Sequence, residues 1–201
     1  MILYLHGFRS SPNSKKAQQV QAALVQRGLQ ARFVCPQLPA SPRAAAELIS
    51  SIAAAAPIKG ADDGSEQFAV VGSSLGGYYA TWLAEKLGCR AVLLNPAIRP
   101  YDDLRTHLGR QPVFFSDASI DMRPEYLDEL LALDTPAITQ PQRYFLVAAT
   151  GDEVIDYRTM VGKYQGARQL VIDGSDHQIT GFEQHVDAVL SFCGVHQSGL
   201  H

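Results

Sequence analysis

Six short apolar runs recur along the 201-residue chain, most of them followed by a stretch with helical spacing, and this alternation narrows the possible folds more than any other feature. The runs are Ile2 to Leu5, Ala31 to Cys35, Phe68 to Val71, Ala91 to Leu94, Tyr144 to Ala148 and Gln169 to Ile172. Most are apolar nearly throughout, as strands are when helices cover both faces of a parallel sheet. The expected architecture is α/β, with helices on both faces of a mostly parallel sheet.

The gaps carry the helices. Ser14 to Arg27 places Ala17, Val20 and Leu24 on one face and stops at Gly28. Ser41-Pro42 opens a second helix, with Leu48 and Ile52 four residues apart. Leu75 to Leu87 is a third, ended by Gly88. In the last, Thr180 and Glu183 have capping-box spacing, Phe182, Val186, Val189, Leu190 and Cys193 keep helical periodicity, and Gly194 ends it. The length suits one domain spanning residues 1–201. Between the fourth and fifth strands lies an unusually long connection, about fifty residues. It carries two expected helices, Tyr101 to Leu108 and Pro124 to Leu133, and residues 99–142 are read as a small lid over a binding site or, alternatively, a packing excursion. Lys59 to Glu66 reads as a solvated loop; Asp62-Asp63-Gly64 lacks the regularly spaced oxygen ligands of a metal loop.

Composition removes several function classes. Lys plus Arg number 17 against 20 Asp plus Glu, a net charge of −3 with no long block of one sign, which argues against binding nucleic acid by phosphate neutralisation. Cys35, Cys89 and Cys193 are odd in number and far apart, fitting neither a disulfide framework nor a zinc site. No apolar run approaches the length of a membrane span. Met1 leads directly into Ile2-Leu3-Tyr4-Leu5 without a basic leader, so a cytoplasmic location is expected.

Directly after the third strand stands Gly72-Ser73-Ser74-Leu75-Gly76-Gly77, which contains G-x-S-x-G. Only Ser74 has glycine at both −2 and +2, which makes it the candidate nucleophile: a turn tight enough to project a serine leaves no room for β-carbons beside it. The pentapeptide alone is moderately specific, and its place between a strand and a helix supplies the rest. A serine needs a general base, and the base an orienting acid. Two late strands run into Thr150-Gly151-Asp152-Glu153-Val154 and Gly174-Ser175-Asp176-His177. His177 is assigned as base and Asp152 as its partner; Glu153, Asp156 and Asp176 are rival acids, ranked behind Asp152 because it lies nearest its strand end. His6-Gly7-Phe8 follows the first strand, where the Phe8 amide would join that of Leu75 as an oxyanion hole, with His6, Gly7, Gly72 and Gly76 shaping the loops. His107, His185, His196 and His201 are taken as surface or packing residues.

With Leu3-Tyr4-Leu5-His6-Gly7-Phe8, Val71 to Tyr79, Asn95-Pro96-Ala97, Thr150 to Val154 and His177 in place, the chain resembles the α/β-hydrolase superfamily, and more narrowly the small bacterial YqiA-type esterases. Pro36-Gln37-Leu38-Pro39, Ala80-Thr81-Trp82-Leu83, Asp156-Tyr157-Arg158 and Thr180-Gly181-Phe182-Glu183 extend the resemblance over about residues 2 to 194. It implies an α/β-hydrolase fold with six strands in the order 2-1-3-4-5-6. It also implies a cofactor-independent serine esterase acting on small acyl esters or acyl-CoA thioesters, with Ser74, Asp152 and His177 as its catalytic set. The rival readings are an acyl-CoA thioesterase using the same three residues and a hydrolase-fold binding protein without turnover.

Overall fold

A computed structural model describes residues 1–56, 68–113 and 119–195. The expected loop at Lys59 to Glu66 and the tail histidines His196 and His201 lie outside the described residues.

The strands of the main sheet are β1 (Ile2–Leu5), β2 (Phe33–Val34), β3 (Ala69–Ser73), β4 (Arg90–Leu94), β7 (Tyr144–Ala149) and β8 (Arg168–Ile172), all parallel and in the order β2-β1-β3-β4-β7-β8. With β5 (Gly109–Pro112) and β6 (Ser119–Met122) set apart as an antiparallel pair, this is the expected order 2-1-3-4-5-6.

Most of the apolar runs feed two cores at once, because successive side chains leave opposite faces of a strand. Leu3, Leu5, Val70, Leu93 and Leu146 point into one cluster. That cluster is closed by α2 (Pro42–Ala54), α3 (Leu75–Leu87) and α5 (Glu125–Leu131) through Ile49, Tyr78, Leu83 and Leu130, and by α6 (Tyr157–Lys163) through Met160. Ile2, Tyr4, Val71, Val92 and Val147 point into the other, covered by α1 (Lys15–Gln26) and α7 (Val186–Phe192) through Val20, Leu24, Val189 and Leu190. The register aligns the carboxyl ends of the strands, Leu5 beside Gly72, Ser73 beside Leu94, Leu94 beside Val147 and Ala149 beside Ile172. The loops carrying His6, Ser74, Asn95, Asp152 and His177 therefore open on one edge, where parallel sheets place their ligands.

The structure corrects some of these expectations and adds elements that had none. The helix expected from Tyr101 to Leu108 is one α turn, α4 (Pro100–Asp103), continued as a 3-10 turn over Leu104–His107. The β5–β6 hairpin replaces what had no assigned structure; its four-residue strands are mostly polar and exposed, too short for periodicity to register. The last helix is shorter than its periodicity suggested, because Phe182–His185 is a 3-10 turn preceding α7. The capping box does not form: the Thr180 hydroxyl donates to Asp176 at 2.8 Å, and Glu183 accepts from Gln19 at 3.0 Å. α6 had no helical assignment; Asp156 opens it by accepting from the Arg158 amide at 2.9 Å.

The 99–142 segment is tied down at several points. Tyr78 donates its hydroxyl to the Leu130 carbonyl at 2.7 Å, and Glu129 accepts from the Ser41 hydroxyl at 2.7 Å. Its return to the sheet is held by Glu85, which accepts from both the Thr139 and the Tyr144 hydroxyls.

Candidate active site

Ser74 joins β3 to α3 with φ 56° and ψ −122°, outside the regions that side chains normally allow. The neighbouring loops hold it there. Its amide donates to the Leu94 carbonyl at 3.0 Å, while its carbonyl accepts from Gly77 at 2.8 Å and Ala97 at 3.0 Å. Glycine is needed on both sides: a β-carbon on Gly72 would fall on the Gly76 carbonyl, and one on Gly76 would fall on the Leu5 carbonyl, with the His6 oxygen 2.8 Å away. Strain confined to one residue and enforced by backbone contacts is characteristic of functional turns.

Gly7 closes over the same serine, and a β-carbon there would stand 3.1 Å from Ser74 Cβ. Its loop is fixed by His6, which is 4% exposed. His6 Nε2 faces the Leu38 amide at 3.1 Å and Nδ1 faces the Gly7 carbonyl at 3.0 Å. An amide can only donate and a carbonyl only accept, so Nδ1 carries the hydrogen and the ring is neutral; burial lowers its pKa in the same direction. Leu75 is the first residue of α3, where the backbone N–H has no partner within the helix. Phe8 follows Gly7 and meets the His107 ring edge-on, 6.0 Å between centroids, so His107 packs against the loop after β1.

Beyond β7, Asp152 is wholly buried at its side chain and presents Oδ2 to His177 Nδ1 at 2.8 Å. Its Oδ1 accepts from the amides of Val154 at 2.8 Å and Ile155 at 2.9 Å. Each rival acid has other partners. Glu153 accepts from the His177 backbone amide at 3.0 Å, Asp156 caps α6, and Asp176 accepts from the Thr180 amide and hydroxyl, which hold its carboxyl below the usual range. The two loops are laced together: the Thr150 hydroxyl donates to Asp173 at 2.9 Å and accepts from the Gly174 amide at 2.8 Å.

Asn95 joins all three loops. It is completely buried, with φ 43°, a left-handed conformation that asparagine tolerates. Its side-chain oxygen accepts from the Ala149 amide at 2.8 Å, and its nitrogen donates to the carbonyls of Asp176 at 3.0 Å and His177 at 3.1 Å. Sequence reasoning took it only as part of an Asn-Pro-Ala match and assigned it no role. Lys16 was read only as one of several basic residues, with Arg9, Lys15, Arg99 and Arg105, that could gather near the mouth of the cleft; it is buried instead, four residues before Val20 and eight before Leu24 on the buried stripe of α1.

A cleft of about 60 Å³ opens at the serine, walled by Leu75, Ala97, Leu104, Val154 and Ile155, with Asp103 as the charged residue lining it. A larger groove, about 670 Å³, runs between α2, α3 and α5 beside Trp82 and contains none of the candidate site residues. Among the described residues no group of three or more His, Cys, Asp or Glu side chains could hold a metal ion, and no helix is long and apolar enough to cross a membrane.

A family model described as Uncharacterised protein family (UPF0227) matches residues 1–194. The chain belongs to the UPF0227 family. Among solved structures, Est1E from Butyrivibrio proteoclasticus with bound ferulic acid is 14% identical at a TM-score of 0.69, covering 95% of this chain and 86% of that one. The alpha/beta hydrolase domain-containing protein 10 from mouse is 15% identical at 0.64, with 94% and 89% covered. Carboxylesterase CesB (YbfK) from Bacillus subtilis is 14% identical at 0.58, with 96% and 84% covered. These likenesses establish that this UPF0227 member has the α/β-hydrolase fold.

Proposed function

We propose that the protein is a serine carboxylesterase of small acyl esters, with Ser74 as nucleophile, His177 as general base and Asp152 as its orienting acid. The observation that carries this reading is the strained turn at Ser74, held by backbone contacts on an edge shared with a buried Asp152–His177 pair. In the first step His177 takes the Ser74 hydroxyl proton as Oγ bonds to the ester carbonyl carbon. The carbonyl oxygen becomes an oxyanion on the Phe8 and Leu75 amides. The C–O bond then breaks, and the alcohol leaves with the proton held by His177. Water, deprotonated by His177, attacks the acyl-enzyme and frees the acid and Ser74. Asp152 keeps the hydrogen on Nδ1, leaving Nε2 free to accept, and stabilises the imidazolium.

The whole chain is taken as one domain in which residues 99–142 cover the site. Pro100, Asp103 and Leu104 line the cleft, and the Pro112 carbonyl accepts from Arg9 at 2.7 Å beside the oxyanion loop. The cleft suits a short acyl chain, and Asp103, the charged residue in its wall, disfavours a polyanionic CoA ester. A matched pair of nitrophenyl butyrate and butyryl-CoA tests the preference: kcat/KM is expected to favour the simple ester, and the opposite ranking makes the protein a thioesterase. Catalysis itself is tested by a fluorophosphonate probe, expected to attach to Ser74 in the folded protein and not after unfolding. Folded protein that stays unlabelled would be a hydrolase-fold binding protein without turnover.

A further inference from the structure

Lys16 is an ionisable group where a hydrophobic one is expected. It opens the buried face of α1, followed by Ala17, Val20 and Leu24, and is 6% exposed. A buried ammonium persists only where charges and acceptors replace its lost water. Its Nζ donates to the His177 carbonyl at 3.1 Å, the same oxygen that accepts from Asn95 at 3.1 Å. Asp152, from the loop after β7, and Asp176, from the loop after β8, are the charged groups acting on it. Other charges near α1 are turned elsewhere: Lys15 is exposed, Glu183 accepts from Gln19, and Asp187 pairs with Arg27. Burial pushes the Lys16 pKa down to about 8, opposed by Asp152 and then Asp176, so the side chain is mostly charged at neutral pH.

We propose that Lys16 is a positioning residue for the base: its buried ammonium, donating to the His177 carbonyl beside Asn95, holds the backbone that carries the imidazole. The inference rests on the proposed roles of Ser74, His177 and Asp152. Asn95 reaches the same oxygen from the loop after β4 and Lys16 from α1, so losing the ammonium leaves that carbonyl with the Asn95 donor alone.

Lys16→Met keeps the aliphatic stem and removes the charge. Its kcat is expected to fall by between about ten- and a hundred-fold with KM nearly unchanged, the size of effect a misplaced reacting group produces. Lys16→Arg restores charge and donor and is expected to recover most of kcat. Gln19→Ala, which cuts the adjacent tie from α1 to Glu183, is expected to leave kcat close to the parental value. If Lys16→Met does not fold, Lys16→Leu, which also removes the donor, carries the same comparison. Parental kcat in the folded variant overturns the proposal while Ser74→Ala remains inactive; an active Ser74→Ala instead removes the serine reading on which it rests.

Discussion

Ser74→Ala is expected to lower kcat on nitrophenyl butyrate by about a thousand-fold or more, leaving residual turnover from binding and the oxyanion donors. Three observations set this size. The hydroxyl is carried on a strained backbone conformation, the Gly7 loop closes over it, and His177, the proposed base, has a buried carboxylate on its Nδ1. The substitution should hardly change the melting temperature, since alanine removes one oxygen and relieves none of the turn's contacts. Turnover within ten-fold of the parent would mean that another group attacks the ester.

Gly76→Ala has the opposite character, with the damage falling on the fold. A β-carbon at Gly76 would meet the backbone of Leu5 and His6, which are tied into β1 and the loop after it and cannot swing aside as a side chain would. Overpacking against fixed backbone should cost about 3 kcal/mol or more. For a chain of this size that is a drop in Tm of roughly 6 to 12 °C. Gly162 in α6 is the control: a β-carbon there meets nothing within 4 Å, so Gly162→Ala should raise stability by roughly 0.5 to 1 kcal/mol through helix propensity alone. Thermal melts of both variants check the pair, and a Gly76→Ala melt close to the parent would contradict the close approach of α3 to β1.

The central strands β1, β3, β4 and β7 were legible because burial on both faces makes each a nearly unbroken apolar run. The edge strands are only partly buried, and the one expected over Ala31 to Cys35 is just Phe33–Val34, because Gln30–Arg32 is a 3-10 turn. The hairpin was not legible, since Gly109–Pro112 and Ser119–Met122 bury little and gain their pairing only from one another. The terminal helix was overdrawn because Thr180 and Glu183 have capping spacing but are claimed by Asp176 and Gln19, partners that only tertiary structure supplies.

Within the site, glycine on both sides distinguished Ser74 from Ser73 without any structure, because the constraint is local backbone sterics. Nearness to the strand end ranked Asp152 ahead of Glu153, Asp156 and Asp176. Their hydrogen-bond partners in space differ in the same sense, with Asp152 the one that meets the His177 ring. Asn95 and Lys16 act across more than fifty residues, on positions such as Ala149 and His177, and no local pattern marks such reach.

The division of most apolar runs between two cores reaches beyond packing. In β3, Val70 belongs to one core and Val71 to the other, and Ser74 follows three residues later at the end of the same strand. Deleting one residue from this strand would exchange the faces of its side chains and carry the serine off its turn in the same event. Insertions and deletions in β3 are therefore doubly penalised, whereas the β5–β6 pair stands apart from the main sheet and outside this coupling.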